Sequence, residues 1–209
     1  MAQGGLRAKH RKLRTEQVLS AAQSLFVEAG YEGTHIEAIA ERASVSPATV
    51  YNYFTTKPNL LMELALRHVH AALPERRQLI RDLPDDPVQG ILAFERLLAD
   101  QNMRHLSREC WRVIMSAQYT EPNGPASRTG ARLNTLIRRQ YVRLFKTYQQ
   151  RGKIAADVDA FQLADVIVDV TTAHFGMFVA REDSTVAELL ERGERHIRLI
   201  ISHMLTDAA

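Results

Sequence analysis

The sequence predicts an all-α protein, and three observations carry this prediction. Apolar residues recur every three or four positions through most of the 209 residues, capping and turn residues separate these runs, and no alternating strands joined by a hairpin turn occur. The chain is 45% hydrophobic and 24% charged, which is typical of a folded globular protein. We therefore expect helices packed around an apolar core.

Composition also bears on location and chemistry. Cys110 is the only cysteine, so the sequence excludes an internal disulfide and a CxxC zinc site. The longest apolar stretch contains Asp169 and His174 and falls short of the roughly 20 apolar residues that a membrane span needs. No signal-peptide cleavage pattern follows the basic start. We expect a cytoplasmic protein without a membrane span.

Charge is distributed unevenly along the chain. Residues 15–60 contain two basic residues and five acidic residues, a net charge of −3. All the charged residues before Glu16 are basic. They are Arg7, Lys9, Arg11, Lys12 and Arg14. Residues 1–14 are therefore predicted to be a basic N-terminal arm that holds a polyanion. A disordered solubilising tail is the alternative.

Three helices are predicted in the first sixty residues. The first has one apolar face and ends before Gly30, which suits a left-handed C-cap. Thr34 and Glu37 have the spacing of a capping box that starts a short second helix. Ser46 is a good N-cap and Pro47 a good first residue for the third helix. Two short helices joined by a turn indicate a helix-turn-helix, and hence DNA binding.

Six further helices are predicted after this motif. The fourth is capped near Thr55–Lys57 and is expected to bend or stop at Pro74, and residues 121–127 are expected to form a loop. The helix around Phe161–Ala180 is apolar nearly all round, so a single core-facing stripe does not account for it. This helix and the last one predict a self-association surface. The alternative is that both are ordinary core.

The stretch GYEGTHIEAIAERASVSPATVYNYFTTKPNLLMEL also resembles the DNA-binding domain of the tetracycline-repressor (TetR) family of bacterial regulators. The matching positions are Phe26, Gly30, Tyr31, Thr34, Ile39, Ala40, Val45, Ser46, Val50, Tyr51, Tyr53, Phe54, Lys57, Leu60 and Leu61. Ser44 stands where this family usually has glycine, so we expect an adjusted turn there. The resemblance covers roughly residues 15–73.

The resemblance implies a set of DNA contacts. It places Pro47, Ala48, Thr49 and Asn52 against base edges in the major groove. It places Thr34, His35, Tyr51, Tyr53 and Lys57 against phosphates, and Ser46 completes the predicted DNA-binding set. The chemistry agrees, since an amide such as that of Asn52 can bind adenine and a lysine at a helix N-terminus suits a phosphate.

The resemblance also implies an architecture and a mechanism. Residues 15–73 would form the DNA-binding domain with the start of the fourth helix, and residues 74–209 a helical ligand-binding and dimerisation domain. A small-molecule effector would release a homodimer, joined through its two C-terminal helices, from a palindromic double-stranded operator. The candidate pocket residues are Phe94, Trp111, Met115, Tyr119, Tyr141, Phe145, His174, Met177 and Phe178.

Other kinds of chemistry find little support in the sequence. It contains no glycine-rich phosphate loop and no G-x-S-x-G or H-E-x-x-H motif, so we expect neither an enzyme nor a cofactor. His105 and Glu109 have a spacing that metals use, but such a pair arises readily by chance, and we expect no metal site. Two alternatives stay open: a DNA-binding protein controlled by a protein partner, and an all-helical enzyme or interaction protein.

Overall fold

The computed structural model describes residues 2–206, with side chains described from Ala8 onward except that of Gln118. Its nine α-helices confirm the predicted all-α class. They are α1 (Ala2–Ala29), α2 (Ile36–Arg42), α3 (Pro47–Phe54), α4 (Lys57–Arg81), α5 (Pro87–His105), α6 (Arg108–Thr120), α7 (Pro125–Gln150), α8 (Ala160–Ala180) and α9 (Val186–Ile201). Residues 2–206 contain no β-strand, although one antiparallel bridge pairs Ile154 with Leu205.

The chain divides into two compact units. The first comprises the chain up to His68 together with His105–Gly130, and the second comprises Val69–Arg104 and the chain from Ala131 onward. Helix α6 therefore belongs with α1, α2 and α3, and the chain passes between the units within α4, α5 and α7. The predicted functional boundary between residues 73 and 74 does not coincide with this division and stays a prediction.

Helix α1 begins well before the apolar pattern that predicts it. The predicted basic arm is helical from Ala2, so over residues 2–14 the alternative of a disordered tail is not observed. Lys9, Arg11, Lys12 and Arg14 are all exposed, and the side chain of Arg7 lies outside the described residues. The reason is local: Ala, Lys, Arg and Leu are good helix formers, so an exposed helix continues without an apolar face.

The predicted capping box at the start of α2 is wrong. Helix α2 starts at Ile36 and its N-cap, His35, makes no side-chain capping hydrogen bond. The Thr34 hydroxyl instead lies buried and donates to the carbonyl oxygens of Gly30, at 2.6 Å, and Leu25, at 3.1 Å. The Gly30 carbonyl lies just past the end of α1, where the helix offers it no partner of its own. Thr34 therefore closes the preceding helix rather than opening the next.

The predicted start of α3 is confirmed. Ser46 Oγ accepts a hydrogen bond from the amide of Thr49 at 3.2 Å, and Pro47 occupies the first helical position. Helix α4 begins in the same way, since Thr56 Oγ1 accepts from the amide of Asn59 at 3.2 Å. Such caps satisfy amides that a helix N-terminus leaves free.

Pro74 does not end α4, which continues to Arg81. Beyond the proline, Arg76 is buried and its Nε donates to Gln101 Oε1 at 2.6 Å, while Ile80 joins the core of the second unit. These contacts hold the helix together although the proline removes a backbone hydrogen bond. The predicted loop at 121–127 is also too long, because α7 already starts at Pro125.

The core of the second unit is built from α5, α7, α8 and α9. Phe94 packs edge-on against Tyr141 with ring centroids 5.0 Å apart, and Tyr141 stacks on Phe145 at 5.9 Å. The Tyr148 hydroxyl donates to the carbonyl of Pro84 at 2.9 Å. The aromatic rings of α7 therefore join this helix to α5 and to the turn before α5.

Helix α8 corrects the expectation about membrane spans. Ala160–Ala180 is long and apolar enough to cross a membrane by length and composition alone. However, nine of its residues are buried against the rest of the second unit, among them Ile167, Val168 and Phe178. A core helix of a globular protein passes the same test, so this helix is weak evidence for a membrane span.

A substitution at Gly90 tests the packing of α5 against α7. A Cβ atom at this position would lie 1.8 Å from the Tyr148 hydroxyl, so we expect Gly90→Ala to destabilise the protein by about 1–3 kcal/mol. Gly193→Ala is the matched control, because its Cβ would meet nothing within 4 Å and alanine favours a helix by up to about 1 kcal/mol. Urea unfolding at one protein concentration measures both. A Gly90→Ala variant as stable as wild type would contradict this packing.

Candidate nucleic-acid interface

A tight turn at residues 43–46 joins α2 to α3. Ser44 has a φ of +52°, which is the left-handed region that favours glycine. The amide of Ser44 donates to the carbonyl of Glu41 at 3.0 Å, and that of Val45 donates to the carbonyl of Ala40 at 2.9 Å. The expected adjusted turn is thus a left-handed serine, which costs about 1 kcal/mol relative to glycine. The two amide bonds fix the direction in which α3 leaves the turn.

Helix α3 has one buried and one exposed face. Val50 and Phe54 are almost fully buried, as their spacing of four predicts. The exposed residues are Ser46, Pro47, Ala48, Tyr51 and Asn52, and Thr49 is half-buried with its hydroxyl 2.9 Å from that of Ser46. The residues predicted to meet base edges therefore share one solvent-facing surface.

The residues predicted to contact phosphates differ in their exposure and in the hydrogen bonds that they already make. The Thr34 hydroxyl is buried and committed to α1, so we do not propose Thr34 as a DNA contact. Lys57 Nζ donates to the carbonyl of Thr34 at 2.9 Å and lies 4.2 Å from the centre of the Tyr31 ring, with donors left for a further partner. His35 is exposed, Tyr51 is 47% exposed, and Tyr53 is half-buried beside Phe54.

Two arginines of the helical extension also contact this motif, and neither contact was predicted from the sequence. The Arg11 guanidinium lies 5.9 Å from the centre of the Tyr53 ring, and Arg14 Nη1 donates to the carbonyl of Ser44 at 3.4 Å. The available signal was their spacing of three, which puts both on one side of a helix. It was missed because the helix was not predicted to reach residues 2–14.

Comparison with known proteins agrees with this geometry. Residues 18–64, which contain α2, α3 and their turn, match the model for bacterial regulatory proteins of the tetR family. Residues 18–64 are therefore a helix-turn-helix DNA-binding domain of the tetR family. The known proteins that match the chain are transcription regulators rather than enzymes.

Two relatives match the chain at different identities and over different shares of its length. The transcriptional activator FasR of Mycolicibacterium smegmatis is 36% identical over 123 residues, which cover 57% of this chain and 55% of FasR. The regulator UidR of Escherichia coli K12 is 22% identical over 161 residues, 74% of this chain and 76% of UidR. The chain thus matches only about half the length of FasR.

Solved structures extend the likeness in fold to nearly the whole chain. The TetR-family repressor FadR of Thermus thermophilus, crystallised with lauroyl-CoA, superposes with a TM-score of 0.74 at 21% identity, covering 93% of this chain and 97% of FadR. Reduced NemR of E. coli superposes with a TM-score of 0.65 at 17% identity, covering 94% and 98%. At these identities the likeness concerns the fold alone.

The predicted pocket residues are divided between the two units. Trp111, Met115 and Tyr119 belong to the first unit, and Tyr119 is 77% exposed. Phe94, Tyr141 and Phe145 are fully buried in the second unit and pack on one another. His174, Met177 and Phe178 line a cleft of ≈230 Å³ beside the end of α8 and the start of α9.

His174 and His196 link α8 to α9. His174 Nε2 and His196 Nδ1 lie 2.8 Å apart and share a hydrogen bond. Burial, helped by His196 and Arg192, lowers the pKa of His174, so its imidazole is neutral near pH 7. Among the described residues no group of three His, Cys, Asp or Glu side chains is placed to hold a metal ion.

Glu95 is a buried acid whose burial was not predicted from the sequence. Burial raises the pKa of its carboxyl group to about 8, although Thr171 acts in the opposite direction. Part of the side chain stays accessible, but Oε1 is enclosed and has no hydrogen-bond partner among the described residues. The Tyr141 hydroxyl in the same unit is also enclosed and has no such partner. Buried polar atoms of this kind are rare, and each calls for an explanation.

The pH dependence of stability tests the burial of Glu95. Its folded pKa of about 8 lies above the ordinary 4.5, so this group stabilises the fold most below pH 4.5 and loses that contribution as the pH rises through 8. We therefore expect Glu95→Gln to raise the free energy of unfolding at pH 8 by on the order of 3 kcal/mol. Its effect at pH 4 should be much smaller.

Denaturant unfolding between pH 4 and pH 8 measures this difference. The matched control is Asp100→Asn, which replaces an exposed acid on the same helix and should leave the pH profile unchanged. Parallel pH profiles for wild type and Glu95→Gln would show that the carboxyl group is not buried.

Proposed function

We propose that this chain is a homodimeric, ligand-responsive transcriptional repressor that binds a palindromic operator through α3. The exposed face of α3 carries this proposal, because it presents small and polar side chains on a helix whose start and direction are fixed. The match of residues 18–64 to the tetR family supports it, since regulators of this family bind DNA and small-molecule ligands and act as dimers.

The side chains of α3 suit base recognition. Asn52 is exposed and its amide can pair with the N6 and N7 edge of adenine. Pro47 and Ala48 are small enough for a close approach of the helix to the major groove, and the Thr49 methyl group can contact the methyl group of thymine. Together with the Ser46 cap, these residues form the part of the surface that we propose reads sequence.

Attraction to phosphates has to come from outside α3, which contains no charged residue. Lys57 supplies one cation at the start of α4, and the helical extension of α1 supplies Lys9, Arg11, Lys12 and Arg14, all exposed. The contacts of Arg11 with Tyr53 and of Arg14 with Ser44 support a role beside α3. Because this extension is helical, we propose that its side chains contact the phosphate backbone and not that it enters the minor groove as an extended arm.

Selection of bound sequences from random DNA tests the proposal, and a palindrome is the expected product. Asn52→Ala should cost about 1–3 kcal/mol at one base position of each half-site and relax the preference there. Arg11→Ala should weaken all sequences about equally and reduce the slope of log K against log salt by about 1. Arg77→Ala, an exposed arginine of the second unit, is the control and should change neither. No enriched sequence would refute specific DNA binding.

The exposed faces of α8 and α9 support self-association. Val166 and Met177 on α8 and Leu199 on α9 are 47%, 49% and 74% exposed although they are large and apolar. The small residues Ala173, Gly176 and Ala180 lie on α8 as well, and small residues let a second helix approach closely. Two neighbouring helices with such faces suit a symmetric interface with a second copy of the chain.

A charge placed on this surface tests the dimer. We expect Leu199→Glu to raise the dimer dissociation constant at least about tenfold, because the interface would then bury an unpaired carboxylate. Val27→Glu is the matched control, since Val27 on α1 is 73% exposed and Leu199 is 74% exposed. Sedimentation equilibrium of both variants measures the effect. A monomeric wild type, or equal dissociation constants for the two variants, would contradict the proposed interface.

We propose that the effector binds the second unit. The unpartnered polar atoms of Glu95 and Tyr141 support this position, because a ligand with hydrogen-bonding groups would satisfy them. FadR of T. thermophilus has the same fold and was crystallised with lauroyl-CoA, which supports a small molecule as the effector class. FasR is an activator, so transcription from the selected operator, measured with and without this chain, tests the proposed repression.

A further inference from the structure

Glu109 is hydrogen-bonded to the turn between α1 and α2, although it lies far from this turn in the sequence. Its Oε2 accepts a hydrogen bond from the amide of Tyr31, and its Oε1 accepts one from the amide of Glu32, each at 2.9 Å. One carboxylate therefore accepts hydrogen bonds from two consecutive amides just after α1 ends. Charge-assisted hydrogen bonds of this kind are roughly twice as strong as neutral ones.

The surroundings of Glu109 are built for this contact. Gly30 has a φ of +74°, and a Cβ atom there would lie 2.9 Å from Glu109 Oε2, so glycine permits both the turn and the close approach. The amides of Glu32 and Tyr31, followed by Arg112 and Lys57, hold the pKa of Glu109 below its ordinary value. The carboxylate is therefore ionised at neutral pH and keeps both hydrogen bonds.

The turn that Glu109 binds is in direct contact with the helix-turn-helix. Tyr31 is buried and packs on Phe26, and Lys57 Nζ lies over its ring while donating to Thr34. Two residues after Thr34, α2 begins. A displacement of Glu109 would thus reach the start of α2 through the turn, and Lys57 through the Tyr31 ring.

The position of Glu109 in the chain gives this contact a regulatory meaning. It lies in the first turn of α6, within the segment His105–Gly130 that the chain enters from the second unit and leaves toward it. A change in the second unit that moves the end of α5 or the start of α7 therefore acts on α6 through the covalent chain.

We propose that Glu109 is a positioning residue for operator binding, which couples α6 to the helix-turn-helix through the amides of Tyr31 and Glu32. This proposal rests on the proposed function, because it concerns the regulation of the same DNA-binding surface. By reciprocity, a contact that lets α6 affect DNA binding also lets DNA binding affect α6.

The single tryptophan of the chain reports on this coupling. Trp111 lies on α6 two residues after Glu109 and is 9% exposed, so intrinsic tryptophan emission comes from α6 alone. Operator DNA should change the Trp111 emission of the wild-type protein. In Glu109→Gln, where only one carbonyl oxygen remains to accept, the emission change at saturating DNA should fall by at least about half, and operator affinity should drop about tenfold.

The control and a second variant keep the test decisive. Glu121→Gln, at the other end of the same helix, should behave as wild type. Glu109→Asp keeps the charge on a shorter side chain and should give an intermediate emission change. If circular dichroism shows that Glu109→Gln does not fold, the emission change of Glu109→Asp tests the coupling instead. The DNA probe is the operator obtained by selection, with binding followed separately by the anisotropy of labelled DNA.

Three results are informative. A reduced emission change in a folded Glu109 variant that still binds DNA supports the coupling. A full emission change with affinity within about twofold of wild type overturns it, as does a wild-type protein whose emission ignores operator DNA. Failure of the wild-type protein to shift the anisotropy of any DNA would instead refute the proposed function, which this second readout detects independently of Trp111.

Discussion

The orientation of the proposed DNA-reading surface depends on the turn between α1 and α2. Helices α2 and α3 have only seven and eight residues, and helices of this length do not hold their own conformation in water. Their position is set instead by hydrogen bonds at the turn. The Thr34 hydroxyl donates to the carbonyl just past the end of α1, and Lys57 donates to the Thr34 carbonyl. Glu109 accepts hydrogen bonds from two amides of the turn. Val50 and Phe54 then add the apolar contacts that keep α3 in place. The turn therefore joins the framework of the first unit to α2 and, through α2, to the exposed α3.

The structure shows which features a sequence can reveal and which it cannot. The Ser46 cap, Pro47 and the buried pair Val50 and Phe54 were predicted because each depends on residues within one or two helical turns. The role of Thr34 was predicted wrongly, because a threonine before a short helix can bond forward or backward and only the approach of α1 decides. Glu109 was considered only as one half of a chance metal pair, because its partners lie 77 and 78 positions away.

The burial of Glu95 is another property that the sequence did not reveal. Glu95 occurs in an amphipathic helix where a single acid normally faces solvent, yet its Oε1 atom is enclosed and its pKa is raised to about 8. An apolar residue would stabilise this position, so the acid is a local conflict with the surrounding core. Such conflicts concentrate at functional sites, where selection accepts lower stability. Ser44 in the left-handed region is a second, smaller conflict of the same kind beside α3.

The distribution of charge separates recognition from attraction in the proposed complex. Helix α3 is uncharged, so its contacts contribute hydrogen bonds and shape, which depend on base sequence. The cations lie on α1 and at the start of α4, and their attraction to phosphates is independent of sequence. Because Arg11 contacts Tyr53 and Arg14 contacts the turn before α3, a phosphate bound near these arginines would fix the register of α3 on the groove. A helical extension does this better than a flexible tail, since no ordering of the chain is required when DNA binds.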